Sequence, residues 1–227
     1  MGLRITFWRE GFATNSSSQH SMIFTDKAPT LTTTETRNFG WSLFTAASQE
    51  AKLNYMLCCL YSSWRMMTEI DAYNSIIPSE NFREFRLIEF RKWVGLHVPV
   101  MGNVPSDFDG EWDWGSVDHE SRMTFSRYRD DQDKRGLNVE FAEAFIREFV
   151  ENNYVMLGGN DNDEEVHPLV CEDQPEDNHL ARVYSAMRER DPHYLICEKD
   201  HLTGEFVCSD LERGRLFKIV ITPAAGS

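Results

Sequence analysis

The run Thr14-Asn15-Ser16-Ser17-Ser18-Gln19-His20-Ser21 gathers four serines, a threonine and an asparagine around one imidazole. Hydroxyls and backbone N–H groups in such a run can cradle a phosphate or another anion. A serine with a histidine as its base can act as a nucleophile. The same hydroxyls can also do no more than satisfy backbone groups in a tight turn. On the chemical readings, Ser17 and His20 are the reactive pair, and Thr14, Asn15, Ser16, Ser18 and Ser21 are the groups that hold a ligand.

Two further clusters carry chemistry. In Asp118-His119-Glu120-Ser121 the acids flank an imidazole, and a carboxylate beside a histidine can orient the ring or favour its charged form. Asp118 and His119 therefore join the catalytic candidates; the plain alternative is a surface turn with a solvated histidine. In Asn160-Asp161-Asn162-Asp163, residues Asp161, Asp163, Glu165 and Glu172 fall at positions 1, 3, 5 and 12 of a calcium-loop pattern. Val166 stands where that loop requires glycine, which argues against an EF-hand. A looser divalent-cation site, for Mg²⁺ or Ca²⁺, would use Asp161 and Asp163, with Asn160 and Asn162 as ligand-binding neighbours; a solvated acidic loop is the competing reading. Cys171, His179, Cys197, His201 and Cys208 match no standard zinc spacing. Trp112 and Trp114 fit core or rim packing as well as stacking on a base or sugar.

The elements that must position these groups are legible from periodicity. Ile5-Thr6-Phe7-Trp8 and Met22-Ile23-Phe24 read as strands on either side of the serine run. Leu53, Met56, Leu57, Leu60, Trp64 and Met67 recur at helical spacing and predict a helix over about 48–67. A second helix opens at Pro78-Ser79, with Ser79 as N-cap and Phe82, Phe85, Ile88 and Trp93 inward, and runs to Gly95. Residues 98–116, rich in Pro, Gly, Asp and Trp, read as a long irregular loop of the kind that is often functional. A third helix starts near Asn138, carries Phe141, Phe145 and Phe149, and ends in a left-handed cap at Asn152-Asn153. Tyr154–Leu157 reads as a short strand, Asn178 as the cap of a fourth helix, and 194–197 with 205–208 as a hairpin before a last strand over 216–221. The expectation is a single α+β domain over residues 1–227, with a mixed or antiparallel sheet, about four helices and an acidic excursion at about 159–177. The terminal strands are expected to share one sheet.

Composition narrows the function classes. With 41% hydrophobic residues, six Trp and fifteen Phe, the chain can bury a core. No apolar run approaches the roughly 20 residues needed to span a bilayer, and the N-terminus lacks the pattern of a secretory signal. Five cysteines without a CxxC pair fit a reducing, cytoplasmic setting, with Cys58 and Cys59 as core thiols. Net charge is −14, and ten acidic residues with no Lys or Arg fall between Glu148 and Ala181. That balance argues against direct binding to nucleic acid through a basic face.

The run from Gly11 to Ser21, Gly-Phe-Ala-Thr-Asn-Ser-Ser-Ser-Gln-His-Ser, resembles the signature of a group of small phage and bacterial proteins. These open with a strand and a Phe-(Glu or Ala)-Thr-Asn-Ser-Ser-Ser-x-His-Ser sequence. The resemblance extends to Phe39-Gly40-Trp41, to Asp118-His119-Glu120-Ser121, where relatives often carry Gln for Glu120, and to Gly159-Asn160-Asp161-Asn162. It implies a phage or bacterial cytoplasmic setting and adds Trp41 to the ligand-binding candidates. It brings no activity with it.

Two function classes follow. In the first, the serine run, Asp118/His119 and the Asn160–Asn162 stretch converge on one polar pocket that binds and processes an anionic ligand, a nucleotide or phosphorylated small molecule. In the second, the protein is a non-catalytic interaction module whose acidic stretch, residues 161–177, engages and inhibits a basic host protein. A virion component is a third class.

Overall fold

Ser48 begins the central helix: its Oγ accepts from the Ala51 N–H at 3.1 Å, satisfying one of the donors that a helix N-terminus leaves without a partner. The computed structural model describes residues 3–5, 18–25, 38–39, 44–68, 70–110, 116–117, 125–127, 136–160, 195–210 and 215–219. In chain order these form β1 (Leu3–Ile5), β2 (Ser18–Thr25), β3 (Asn38–Phe39), β4 (Phe44–Ala46), α1 (Gln49–Thr68) and α2 (Ser79–His97). There follow β5 (Ser116–Val117), β6 (Ser126–Arg127), β7 (Gly136–Leu137), α3 (Val139–Glu151), β8 (Tyr154–Asn160), β9 (Leu195–Lys199), β10 (Phe206–Asp210) and β11 (Arg215–Ile219). Short 3₁₀ helices lie at Ile70–Ser75 and Pro99–Met101. The fold is α+β, with three α-helices among the described residues where about four are expected. The fourth expected helix, from Asn178, lies outside them.

Helix α1 is buried on most of its circumference. Tyr55, Met56, Leu57, Cys58, Cys59, Leu60, Tyr61 and Trp64 all belong to the core, so the apolar stripe read from sequence is one part of a wider buried surface. Cys58 and Cys59 are free core thiols, as expected. Near the middle of α1, Tyr55 meets the sheet; further along, Tyr61 and Trp64 pack on Phe90 of α2. Helix α2 buries Phe82, Arg86, Leu87, Phe90 and Val94 and continues through Gly95 to His97. Ile88, expected inward, is exposed, because Leu87 and Phe90 define the buried face. Its N-cap is Pro78, with no side-chain cap, and Ser79 is the first helical residue.

The part of the long loop that is described is pinned to α2. Arg91 donates to the carbonyls of Pro105, Ser106 and Phe108, and Arg83 pairs with Asp109 at 2.7 Å. Gly110, at φ 70°, lies against the Tyr61 ring, where a Cβ would come within 2.3 Å of Cε1. Trp112 and Trp114 fall outside the described residues.

Helix α3 opens as read, with the Asn138 side chain accepting from Phe141 N at 3.1 Å. Its end differs. Asn152 is extended rather than left-handed, and the terminal carbonyls are met instead by a side chain from α1. The Lys52 ammonium donates to Phe149 O at 3.2 Å, Val150 O at 3.4 Å and Asn152 O at 2.6 Å, and lies 5.5 Å from the Phe149 ring centre. This fixes the turn from α3 into β8.

The main sheet has the order β1-β2-β8-β4, every neighbour antiparallel. Both faces of β8 are covered: Tyr154 and Met156 join the main core, and Val155 and Leu157 are buried as well. Among the described residues the expected sharing of one sheet by the terminal strands is not seen. The strand that follows α3 takes the second edge of β2, and β9, β10 and β11 pair among themselves in the order β11-β10-β9. Within that sheet Cys197 and Cys208 stand opposite one another and form a disulfide, which runs against the reducing setting expected from the cysteine pattern. The hairpin that carries them docks on α3 through Phe206 against Phe141, the Lys199–Glu140 ion pair, and Asn138 Nδ2 donating to Cys197 O. No helix among the described residues is long and apolar enough to cross a membrane.

Candidate functional site

The described part of the serine-rich run is strand. Ser18, Gln19, His20 and Ser21 lie in β2, because that stretch pairs residue by residue with β8, from Ser18 opposite Asn160 to Phe24 opposite Tyr154. Pairing overrides the local turn preference of the serines, and the alternation that places both His20 and Met22 in the core fits a strand. Gly158, Gly159 and Asn160, expected as the start of a loop, complete β8 for the same reason.

His20 is 1% exposed and held on several sides. Its Nδ1 is 2.8 Å from the Tyr55 hydroxyl. Its ring meets Phe44 edge-on, with centroids 5.0 Å apart. Gly158 is the Cα partner of both His20 and Phe44, so it sits between them in the sheet. A Cβ built on Gly158 would lie 2.5 Å from His20 Cδ2 and 2.5 Å from Phe44 Cε1. The glycine makes the space the two rings occupy, which is what a glycine inside a strand often signals. Tyr55 is fixed in turn by Phe44, stacked at 5.9 Å, and by Phe39, edge-on at 5.1 Å.

Two polar segments leave from the ends of this frame. Ser18 is the Cα partner of Asn160. Residues 14–17 therefore enter β2, and residues 161–163 leave β8, from one end of the same ladder. Strands β3 and β5 are parallel, with Phe39 opposite Val117. The chain continues from these two neighbours into Gly40-Trp41 and Asp118-His119. Phe39 touches Phe44 and Tyr55, and His20 touches the same two rings, so one aromatic cluster underlies both departures.

Of the candidates, Ser18, His20, Ser21 and Asn160 lie on paired strands, and Ser18, His20 and Asn160 fall within two positions of one another in the ladder. Thr14, Asn15, Ser16, Ser17, Trp41, Asp118, His119, Asp161, Asn162 and Asp163 lie outside the described residues. Among the described residues no group of three or more His, Cys, Asp or Glu could hold a metal ion. Tyr55, Phe44 and Gly158 were not singled out from sequence. Tyr55 falls between Leu53 and Met56, off the apolar stripe read for α1, and Gly158 reads as a turn residue unless the strand is extended past Leu157.

One turn before Tyr55 on α1, Lys52 is 3% exposed, and burial lowers its pKa from 10.5 to about 8. Glu148, on the turn of α3 that Lys52 caps, is held above the usual carboxylate range, first by burial and then by Glu151. No family model, curated protein or solved structure matches the chain.

Proposed function

We propose that the protein binds an anionic ligand, a nucleotide or phosphorylated small molecule, where the serine segment and the Asn160–Asp163 segment meet at the end of the β2–β8 ladder. The observation that supports this most directly is the register of Ser18 with Asn160, two positions from His20. It gives two segments rich in small polar side chains a common origin. The parallel pairing of Phe39 with Val117 supports adding Trp41, Asp118 and His119 to the same region. Backbone N–H groups and hydroxyls of residues 14–18 would take the anionic group. Asp161 and Asp163 would hold a divalent cation, Mg²⁺ or Ca²⁺, which an anion beside two carboxylates requires for charge balance. His119 is the better candidate for moving a proton, since His20 is enclosed by aromatic rings.

The test is a thermal-shift screen of inorganic phosphate, nucleoside triphosphates and sugar phosphates, each with and without Mg²⁺ or Ca²⁺. It is run on the wild type, on Ser17→Ala/Asn162→Ala and on Arg83→Ala as a distant control. A ligand at 100-fold excess over its Kd stabilises the fold by about 2.7 kcal/mol. The proposal expects a shift that the double variant loses and the control keeps. No shift with any of these ligands, together with capture of a basic protein that is lost when the acids of 161–177 are neutralised, would replace it with the interaction-module reading.

A further inference from the structure

We propose that Tyr55, a residue of α1, is the positioning residue of this site: its hydroxyl donates to His20 Nδ1, so that His20 carries its proton on Nε2 and acts as a hydrogen-bond donor instead of a proton-abstracting base. The inference rests on the anion-binding reading above and specifies the role of one of its residues. The two atoms are 2.8 Å apart in a buried pair. Either could donate, and relative acidity decides between them. A phenol hydroxyl is a better acid than a neutral imidazole N–H, and an imidazole nitrogen is a better acceptor than a phenol oxygen. O–H···Nδ1 is therefore the stronger arrangement, and it places the ring proton on Nε2.

Neither partner can easily turn away from this geometry. The Tyr55 ring is wedged between Phe44 and Phe39, at centroid distances of 5.9 and 5.1 Å. The His20 ring is bounded by Phe44 at 5.0 Å and by the backbone of Gly158 beneath Cδ2. With Nδ1 committed to Tyr55, the remaining ring nitrogen is a donor. From its enclosed position such a donor serves the groups that hold an anion, and it does not suit abstraction of a proton from a substrate.

The experiment is nitrogen NMR of the protein with ¹⁵N-labelled histidine rings, comparing wild type with Tyr55→Phe. The wild-type spectrum is expected to show His20 Nδ1 as a bare nitrogen and Nε2 as the protonated one. Tyr55→Phe removes only the hydroxyl; both resonances should then move toward a mixture of tautomers, and the affinity for inorganic phosphate should fall about tenfold. A wild-type proton on Nδ1 overturns the assignment, as do ring resonances that Tyr55→Phe leaves unmoved. The wild-type spectrum alone decides the tautomer if the variant does not fold. The tautomer is read without ligand, so a failure of wild type to bind phosphate would count against the proposed function while leaving the role of Tyr55 standing.

Discussion

Replacing Gly158 by alanine should destabilise the protein through a single methyl group. The new Cβ would lie 2.5 Å from His20 Cδ2, 2.5 Å from Phe44 Cε1 and 2.8 Å from Phe44 Cζ. Carbon atoms pack comfortably at about 3.5–4 Å, so the methyl group intrudes by about 1 Å on two rings at once. Neither ring has room to retreat: His20 is tied to Tyr55 at 2.8 Å, and Phe44 is packed against Phe39 at 5.0 Å. Overpacking of this kind costs about 1–3 kcal/mol, and two blocked rings put the cost at about 3. Alanine is intrinsically better than glycine in a strand by about 0.5–1 kcal/mol, which offsets part of it. The net expectation is a loss of about 2 kcal/mol, or about 4–8 °C in Tm for a chain of this size. The assay is urea unfolding at neutral pH, with Gly95→Ala as the control because a Cβ there meets nothing within 4 Å. That control should be neutral or stabilising by up to about 1 kcal/mol. Adding Phe44→Leu to Gly158→Ala should cost less than the two single changes summed, since removing the ring relieves the clash. A Gly158→Ala protein as stable as wild type would refute the packing described for the site.

Lys52 gives a prediction in pH. Burial lowers its pKa in the folded protein from 10.5 to about 8. Between these values the unfolded chain holds the proton and the folded one has released it, so the contribution of this group to stability rises with pH across the window. The rise is at most about 3 kcal/mol and is absent below pH about 8. Lys52→Met should abolish that rise and lower stability at neutral pH by removing the donor from three carbonyls of the α3 terminus; urea melts from pH 7 to 10.5 measure both, and parallel pH profiles would sink the argument. Burial raises the pKa of Cys58, whose contribution falls with pH in both proteins and so cancels in the comparison. Asn138→Ala removes the cap on Phe141 N and the bond to Cys197 O, and should cost about 1–2 kcal/mol with faster amide exchange in the first turn of α3; unchanged exchange there would contradict the cap.

Helices were legible where periodicity was long. The start of α1 at Ser48 and the start of α3 at Asn138 follow from one polar residue before an apolar repeat, and both side chains make the caps. What local sequence carries poorly is pairing. Ser18–Ser21 and Gly158–Asn160 look like turns because Ser, Gly and Asn favour turns, yet each stretch is the other's hydrogen-bonding partner. Neither can be assigned as strand without knowledge of the second. The cap at the end of α3 was invisible for a similar reason: its donor, Lys52, lies about a hundred residues earlier in the chain. The cross-strand disulfide likewise depends on the register that sets Cys197 opposite Cys208. At the site, the serine run and Asn160 were found by composition. Tyr55 and Gly158 were missed because their roles consist in touching His20, which only the register makes possible.

The most direct test of the central claim is to locate the ligand by amide NMR as inorganic phosphate, and then a nucleoside triphosphate with Mg²⁺, is titrated into the protein. The account predicts saturable shifts in the amides of Ser18, Gln19 and Asn160, with smaller ones at Val117 and Phe39, and none along α2. Shifts confined to other surfaces, or none at all, would contradict an anion site at the β2–β8 ladder end.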